Sequence, residues 1–237
     1  MKSSTAPAID PRLLPVSDIA PIVFVVDDDV SVRESLESLI RLAGWQTESF
    51  ESARGFLARP RLAGPGCLIL DVNLPDLNGL DLQQRIAGER TFMPIIFITG
   101  RGDIPMSVKA MKAGALDFLT KPFDDEVLLN AIQNAIKRSQ AALGREGEIS
   151  ALRDRYAALS AREREVVALV VAGLLNKQVG AELHISEITV KAHRGSAMRK
   201  MGARSLPDLV NMATKLGLAT PTVDKSSSTR RYRAETD

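Results

Sequence analysis

Hydrophobic and polar positions follow two rhythms along this chain. In the first half, short apolar runs at Ile22 to Val26, Cys67 to Leu70, Ile95 to Ile98 and Ala115 to Leu119 each lead into polar residues. These residues are Asp27 and Asp28, Asp71, Thr99, and Lys121 before Pro122. Near-continuous runs rich in Ile and Val are expected of parallel strands covered on both faces. Residues at their C-terminal ends share the edge where open α/β sheets bind ligands. Between the runs the period lengthens to that of a helix: Val32, Leu36, Leu39, Ile40 and Ala43 fall on one face, with Gly44 as a stop. Pro105 opens a second helix, whose apolar residues are Val108, Met111 and Ala115. Asp124, Asp125 and Glu126 open a third, carrying Leu128, Ile132, Ala135 and Ile136. With a weaker strand from Gln46 to Phe50 the pattern predicts five strands and five helices, a parallel doubly wound sheet.

The second half carries only the helical rhythm. Ser160 and Glu163 make a capping box before Val166, Val167, Leu169 and Val170, and Gly173 ends that helix. A second helix starts at Asn176 and bears Val179, Ala181 and Leu183. After a tight turn at His184 and Ile185, Ser186 caps a third helix that runs to Met201 and stops at Gly202. A fourth opens at Ser205, Leu206, Pro207 and Asp208, and would leave Leu206, Leu209, Val210 and Ala213 partly available for pairing. Two helices across a short turn, the second cationic, are expected to form a helix-turn-helix.

The predicted organisation is a disordered tail over 1–20, an α/β domain over 21–138, and a linker helical in part over 139–157. A small all-α domain follows over 158–217, and then a second disordered tail over 218–237. At 237 residues the chain exceeds the usual size of one domain. Its net charge of +2 conceals an asymmetry. Residues 21–138 hold 13 Lys and Arg against 16 Asp and Glu, a net of −3, whereas 158–217 hold 9 against 5, a net of +4. A basic module joined to an acidic one fits nucleic-acid binding by the second half. The single cysteine, Cys67, excludes an intramolecular disulfide and reads as a packed thiol. The N-terminal stretch has no apolar core of a signal peptide, and no run is long enough to span a bilayer, so the expected location is the cytoplasm, with no membrane partner.

The strand-end residues suggest phosphate chemistry. Carboxylates gathered with no cation would repel and raise one another's pKa, so either one is neutral or a divalent ion sits among them. Magnesium fits best, with manganese as a substitute, because it takes one or two carboxylates plus water and phosphate oxygens. The Thr99 hydroxyl and Lys121 ammonium could hold phosphoryl oxygens, and an aspartate can itself carry the phosphoryl group covalently. Asp29 and Asp76 are read instead as helix caps or loop residues.

The motifs Val26 to Asp29, Leu70 to Gly79, Thr99-Gly100, Ala110 to Ala115 and Lys121 to Phe123 resemble, in order and spacing, the receiver domain of two-component response regulators. The resemblance implies a flavodoxin-like fold in which Asp71 takes a phosphoryl group from a phosphohistidine of a sensor histidine kinase. It further implies that Asp28, Asp71 and the main-chain carbonyl of Asn73 bind the metal, with Asp27 acting largely through water. Lys121 would contact the phosphoryl oxygens, Thr99 would move to bind one, Phe118 would stand at the aromatic switch position, and the Lys121-Pro122 bond would be cis. From its place in an apolar run alone, Phe118 reads equally well as core. Leu74 stands where Met is usual, and the run Gly102 to Met106 resembles the FixJ branch in particular.

Leu159 to Val166, Asn176 to Gly180 and Ser186 to Arg194 resemble the LuxR-type DNA-binding domain, so the whole is similar to a FixJ/NarL-type response regulator. On its third helix Val190, Ala197 and Met201 would face the core. That leaves Ile188, Lys191, Ala192, Gly195 and Arg199 toward the groove of double-stranded promoter DNA. Lys191 is the first candidate for a base contact, and Lys177, Thr189, Arg194 and Lys200 are candidates for phosphate. The implied behaviour is homodimerisation on phosphorylation and action on RNA polymerase, with no enzymatic role beyond phosphoryl transfer to Asp71 and its self-dephosphorylation. Two rivals are weaker. A haloacid-dehalogenase-type phosphatase needs a second Asp two residues after the nucleophile, where this chain has Asn73. An RNA- or protein-binding adaptor fits the helix-turn-helix spacing less well than a DNA-binding regulator.

Overall fold

The computed structural model describes residues 19–60, 64–88, 92–100 and 104–218. The expected disordered tails and the Gly102-Asp103 part of the FixJ-like run fall largely or wholly outside these residues. Among the described residues the chain divides into two compact units, meeting in sequence at Arg145 and Glu146.

The first unit holds strands β1 (Ile22–Val26), β2 (Gln46–Phe50), β3 (Gly66–Asp71), β4 (Ile95–Thr99) and β5 (Asp117–Thr120). All pair in parallel in the order β2-β1-β3-β4-β5. Parallel pairing requires crossovers, and these are helices α1 (Val30–Leu42), α2 (Ala53–Ala58), α3 (Gly79–Ala87) and α4 (Ile104–Lys112), with α5 (Asp125–Ala157) after the last strand. The alternation of side chains along each strand separates two cores. Phe24, Val26, Leu68, Leu70 and Phe97 pack with Phe56 of α2, Leu82 and Ile86 of α3 and Ala110 of α4. Val23, Val25, Cys67, Ile69, Ile96 and Ile98 pack on the other face with Leu36 and Ile40 of α1 and Leu128, Ile132 and Ala135 of α5. The sheet is therefore doubly wound, and the strands' C-terminal ends meet at one edge.

Of the apolar residues that the pattern names around α4, Ala115 is buried just past the helix, while Val108 and Met111 are 44% and 46% exposed and Ala110 is the buried residue of the helix itself. The helix meets the sheet core through Ala110 and the partly buried Met106.

The second unit holds the end of α5 and helices α6 (Ala161–Val171), α7 (Asn176–Leu183), α8 (Glu187–Met201) and α9 (Leu206–Lys215). Helix α5 passes without a break through Gly144 and Gly147, the stretch expected to be a linker. In the second unit Leu152 is buried, and Arg155 donates to the Met201 carbonyl at 3.2 Å, at the C-terminal end of α8. A cation there complements the helix dipole. The predicted caps form as expected: Ser160 with its capping box, Ser186, and left-handed Gly202. Leu209 and Ala213 are a correction: they are 0% and 1% exposed, consumed by the core with Val167, Ala197 and Met201, so of the expected pairing residues only Leu206 and half-buried Val210 reach the surface.

No helix among the described residues is long and apolar enough to cross a membrane.

Candidate functional site

The strand ends bring together four of the groups expected from the sequence. Carboxylate oxygens of Asp27, Asp28 and Asp71 lie within 4.8 Å of one another. Lys121, just past β5, places Nζ 2.6 Å from Asp27 Oδ2 and 3.9 Å from Asp71 Oδ2. The Lys121-Pro122 bond is cis. Thr99, fully buried at the end of β4, accepts a hydrogen bond from the Asn73 side-chain amide at 3.3 Å. Phe118 is half-buried, its ring 6.2 Å from that of Phe97.

The electrostatics favour a ligand. Burial raises the Asp71 carboxyl above the usual carboxylate range. Lys121 counters that rise, Asp27 adds to it, and the Asn73 and Val72 amides lower it again. Asp71 Oδ1 is buried with no hydrogen-bond partner among the described residues. A buried anionic oxygen left in that state is costly unless something else arrives to meet it. Three carboxylates, one of them with a bare oxygen, and an ammonium suit a hard divalent cation with a phosphoryl group beside it.

Sequence reasoning missed Arg33 but read Asp29 and Asp76 as caps or loop residues, and both act as caps. Arg33 of α1 donates to the carbonyls of Asp27 at 2.8 Å and Asp28 at 3.0 Å, holding the backbone that presents both carboxylates. Asp29 caps α1 through the Ser31 and Val32 amides. Asp76 accepts from the amides of Ala53 and Arg54 at 3.2 and 2.9 Å, so it caps α2 across 22 residues of sequence. Although burial opposes the effect, those amides hold its carboxyl below the usual range. Gly79 is obligatory at the start of α3, since a Cβ there would lie 2.5 Å from the Asp71 carbonyl oxygen.

In the second unit α7 and α8 form the predicted pair across a turn at left-handed His184 (φ 54°). The turn closes on Gly180, where a Cβ would come 2.8 Å from the Ile185 carbonyl. Val190, Ala197 and Met201 are buried, as their spacing implied. Lys177, Lys191, Ala192 and Arg199 are exposed, and Thr189, Arg194 and Gly195 are half-buried. Lys191 pairs with Glu187 at 3.0 Å, and Arg194 donates to Asn176 Oδ1 at 3.1 Å. Lys200 differs from the other cations, because its Nζ lies 2.7 Å from Glu163. Glu163 is 5% exposed and also accepts from Ser196 Oγ at 2.6 Å and the Ser160 amide at 2.7 Å. Lys200, Ser196 and the Ser160 amide together hold its carboxyl at about 2. The capping box was legible from sequence, but its buried link to α8 was not, because Ser196 and Lys200 lie 33 and 37 residues away.

Comparison with known proteins extends over both units. Residues 23–133 match the model of the response regulator receiver domain, and residues 157–213 that of the bacterial regulatory proteins of the luxR family. The chain is 50% identical over 198 residues to Nodulation protein W of Bradyrhizobium diazoefficiens, covering 84% of this chain and 87% of the relative. It is 43% identical over 191 residues to Transcriptional regulatory protein FixJ of Rhizobium meliloti, covering 81% and 94%. Among solved structures, response regulator StyR is similar with a TM-score of 0.73 at 44% identity, covering 83% of this chain and 100% of that one.

Proposed function

Because this chain belongs to the response regulators that join a receiver to a LuxR-type DNA-binding domain, we propose that Asp71 is the switch of a phosphorylation-dependent transcriptional regulator. The observation that carries this reading is the buried Asp71 oxygen without a partner, beside two further carboxylates and Lys121. Its oxygen attacks the phosphorus of a phosphohistidine on a sensor histidine kinase; the O–P bond forms as the N–P bond breaks. Asp28, Asp71 and the Asn73 main-chain carbonyl would hold magnesium, or manganese, with Asp27 acting largely through water. Such an ion supplies charge neutralisation between carboxylates and phosphoryl oxygens. Lys121 binds a phosphoryl oxygen, Thr99 leaves its Asn73 bond to bind another, and Phe118 follows Thr99. The chemistry stays on the protein's own aspartate, ending in self-dephosphorylation.

The new state promotes homodimerisation through α4 and β5. The exposed Ile104, Val108 and Met111 support that face. Moving such an equilibrium from 1:99 to 99:1 takes about 5.5 kcal/mol of differential stabilisation. The dimer binds promoter DNA in the cytoplasm, places α8 in the major groove and acts on RNA polymerase. Lys191, Ala192, Gly195 and Arg199 face base edges, while Lys177, Thr189 and Arg194 face phosphates. Lys200 is at the rim of that surface, its charge already matched by Glu163.

The test is incorporation of phosphate from acetyl phosphate with magnesium, read beside sedimentation of the product. Wild-type protein should label and shift toward dimer, while Asp71→Asn and a chelator should each prevent both. Labelling that survives Asp71→Asn removes the site, and labelling without a change in association removes the dimer switch.

A further inference from the structure

Hydrogen-bonding side chains on α8 are largely spoken for within the domain. The Thr189 and Ser186 hydroxyls lie 2.8 Å apart, Ser196 donates to Glu163, Lys200 pairs with Glu163, and Lys191 pairs with Glu187. Opposite the buried line of Val190, Ala197 and Met201 runs the stripe Ile188, Ala192, Gly195 and Arg199, spaced 4, 3 and 4 residues apart. Its first three side chains carry no donor or acceptor. Ile188 is 79% exposed, and as a β-branched residue in a helix it has one strongly preferred rotamer. Gly195 is not demanded by the fold, for a Cβ there would meet only Arg199 Nη1, at 3.8 Å. It costs the helix about 1 kcal/mol against Ala. What it provides is an outward backbone that another surface can approach closely.

In the major groove the apolar feature that a base pair offers is the 5-methyl group of thymine. We propose that this stripe reads thymine by alkyl contact, with Ile188 against the methyl group, Ala192 beside it and the Gly195 backbone drawn close. The inference rests on the reading that α8 enters the major groove and adds which base chemistry it recognises there.

The test uses the full chain treated with acetyl phosphate to select duplexes from a random pool. Each thymine of the selected half-site is then replaced, one at a time, by deoxyuridine, which lacks only the methyl group. At least one replacement per half-site should weaken binding about fourfold, the factor for returning one methyl to water. The same replacement should have no effect on Ile188→Ala, whose melting temperature should match wild type because the side chain is exposed. Binding that is indifferent to every methyl, or equally sensitive in Ile188→Ala, overturns the assignment while leaving the groove reading intact. Failure to enrich any sequence overturns both.

Discussion

Asp71 and Glu163 are both buried carboxylates facing a lysine, one in each unit, and they are solved in opposite ways. Asp71 has Lys121 at 3.9 Å and an oxygen that meets nothing, so burial lifts its pKa. Glu163 has Lys200 at 2.7 Å, with Ser196 and the Ser160 amide filling the remaining positions, and its pKa falls to about 2. A satisfied buried charge becomes part of the scaffold, whereas an unsatisfied one is held ready for a ligand. Reactivity at Asp71 is the arrangement that Glu163 avoids.

The largest effects are expected from removing the two lysines. Lys121→Ala should still bind magnesium and should lose entirely the gain in DNA affinity that acetyl phosphate produces. Lys200→Ala should keep the gain ratio while binding more weakly in both states, as α8 loosens. Gel-shift titrations with and without acetyl phosphate read both, and an intact response in Lys121→Ala would end the parallel.

Carboxylate-to-amide substitution should then move stability in opposite directions. Asp71→Asn removes a charge that burial penalises, so the receiver without metal should melt higher than wild type. Glu163→Gln removes the anion that holds Lys200 and Ser196, so the DNA-binding unit should melt lower. Calorimetry of the full chain distinguishes the two transitions, and shifts of the same sign would show that the two environments are alike.

Acid offers a finer test. A depressed carboxyl contributes stability that is present above its unfolded value of 4.5 and lost as pH falls through its folded value of about 2. The DNA-binding unit should therefore lose stability progressively over that window, and Glu163→Gln should flatten the curve. Asp71 has the opposite sign: protonation relieves the fold, so its own contribution improves as pH falls. Unfolding followed by far-UV circular dichroism between pH 5 and pH 2, roughly the range in which carboxylates titrate, measures the difference.

The smallest effect concerns salt. Lys177→Ala should make the dependence of log affinity on log salt shallower by about one unit, through loss of one phosphate contact and its counterion release. Lys200→Ala should change that slope less, because its ammonium is already matched by Glu163. Equal slopes for the two variants would return Lys200 to the phosphate contacts.

The Asp71 region was legible because each of its groups ends an apolar run, and a parallel sheet carries all such ends to one edge. The helix caps at Ser160, Ser186 and Gly202 and the left-handed turn at His184 were legible because they are settled within a few residues. Glu163 was visible only as half of a local capping box. Arg33 was obscured for a related reason, because it bonds to main-chain carbonyls, which have no sequence signature; Asp76 was legible as a cap or loop residue, but not that the helix it caps precedes it. On α4 the apolar period named Val108 and Met111, but helical spacing cannot say which of several apolar lines a sheet will accept. On α9 the core took Leu209 and Ala213, the two that face Val167, Ala197 and Met201, and left Leu206 at the surface.

The lone thiol of Cys67 lies fully buried in β3, and burial pushes it up to about 12. In the closed sheet it is shielded from oxidants and alkylating reagents. It is a clock built into the central strand: because the thiolate is the reactive form, modification must wait for the sheet to open. The rate of alkylation under native conditions therefore reports how often the receiver breathes, without any engineered probe.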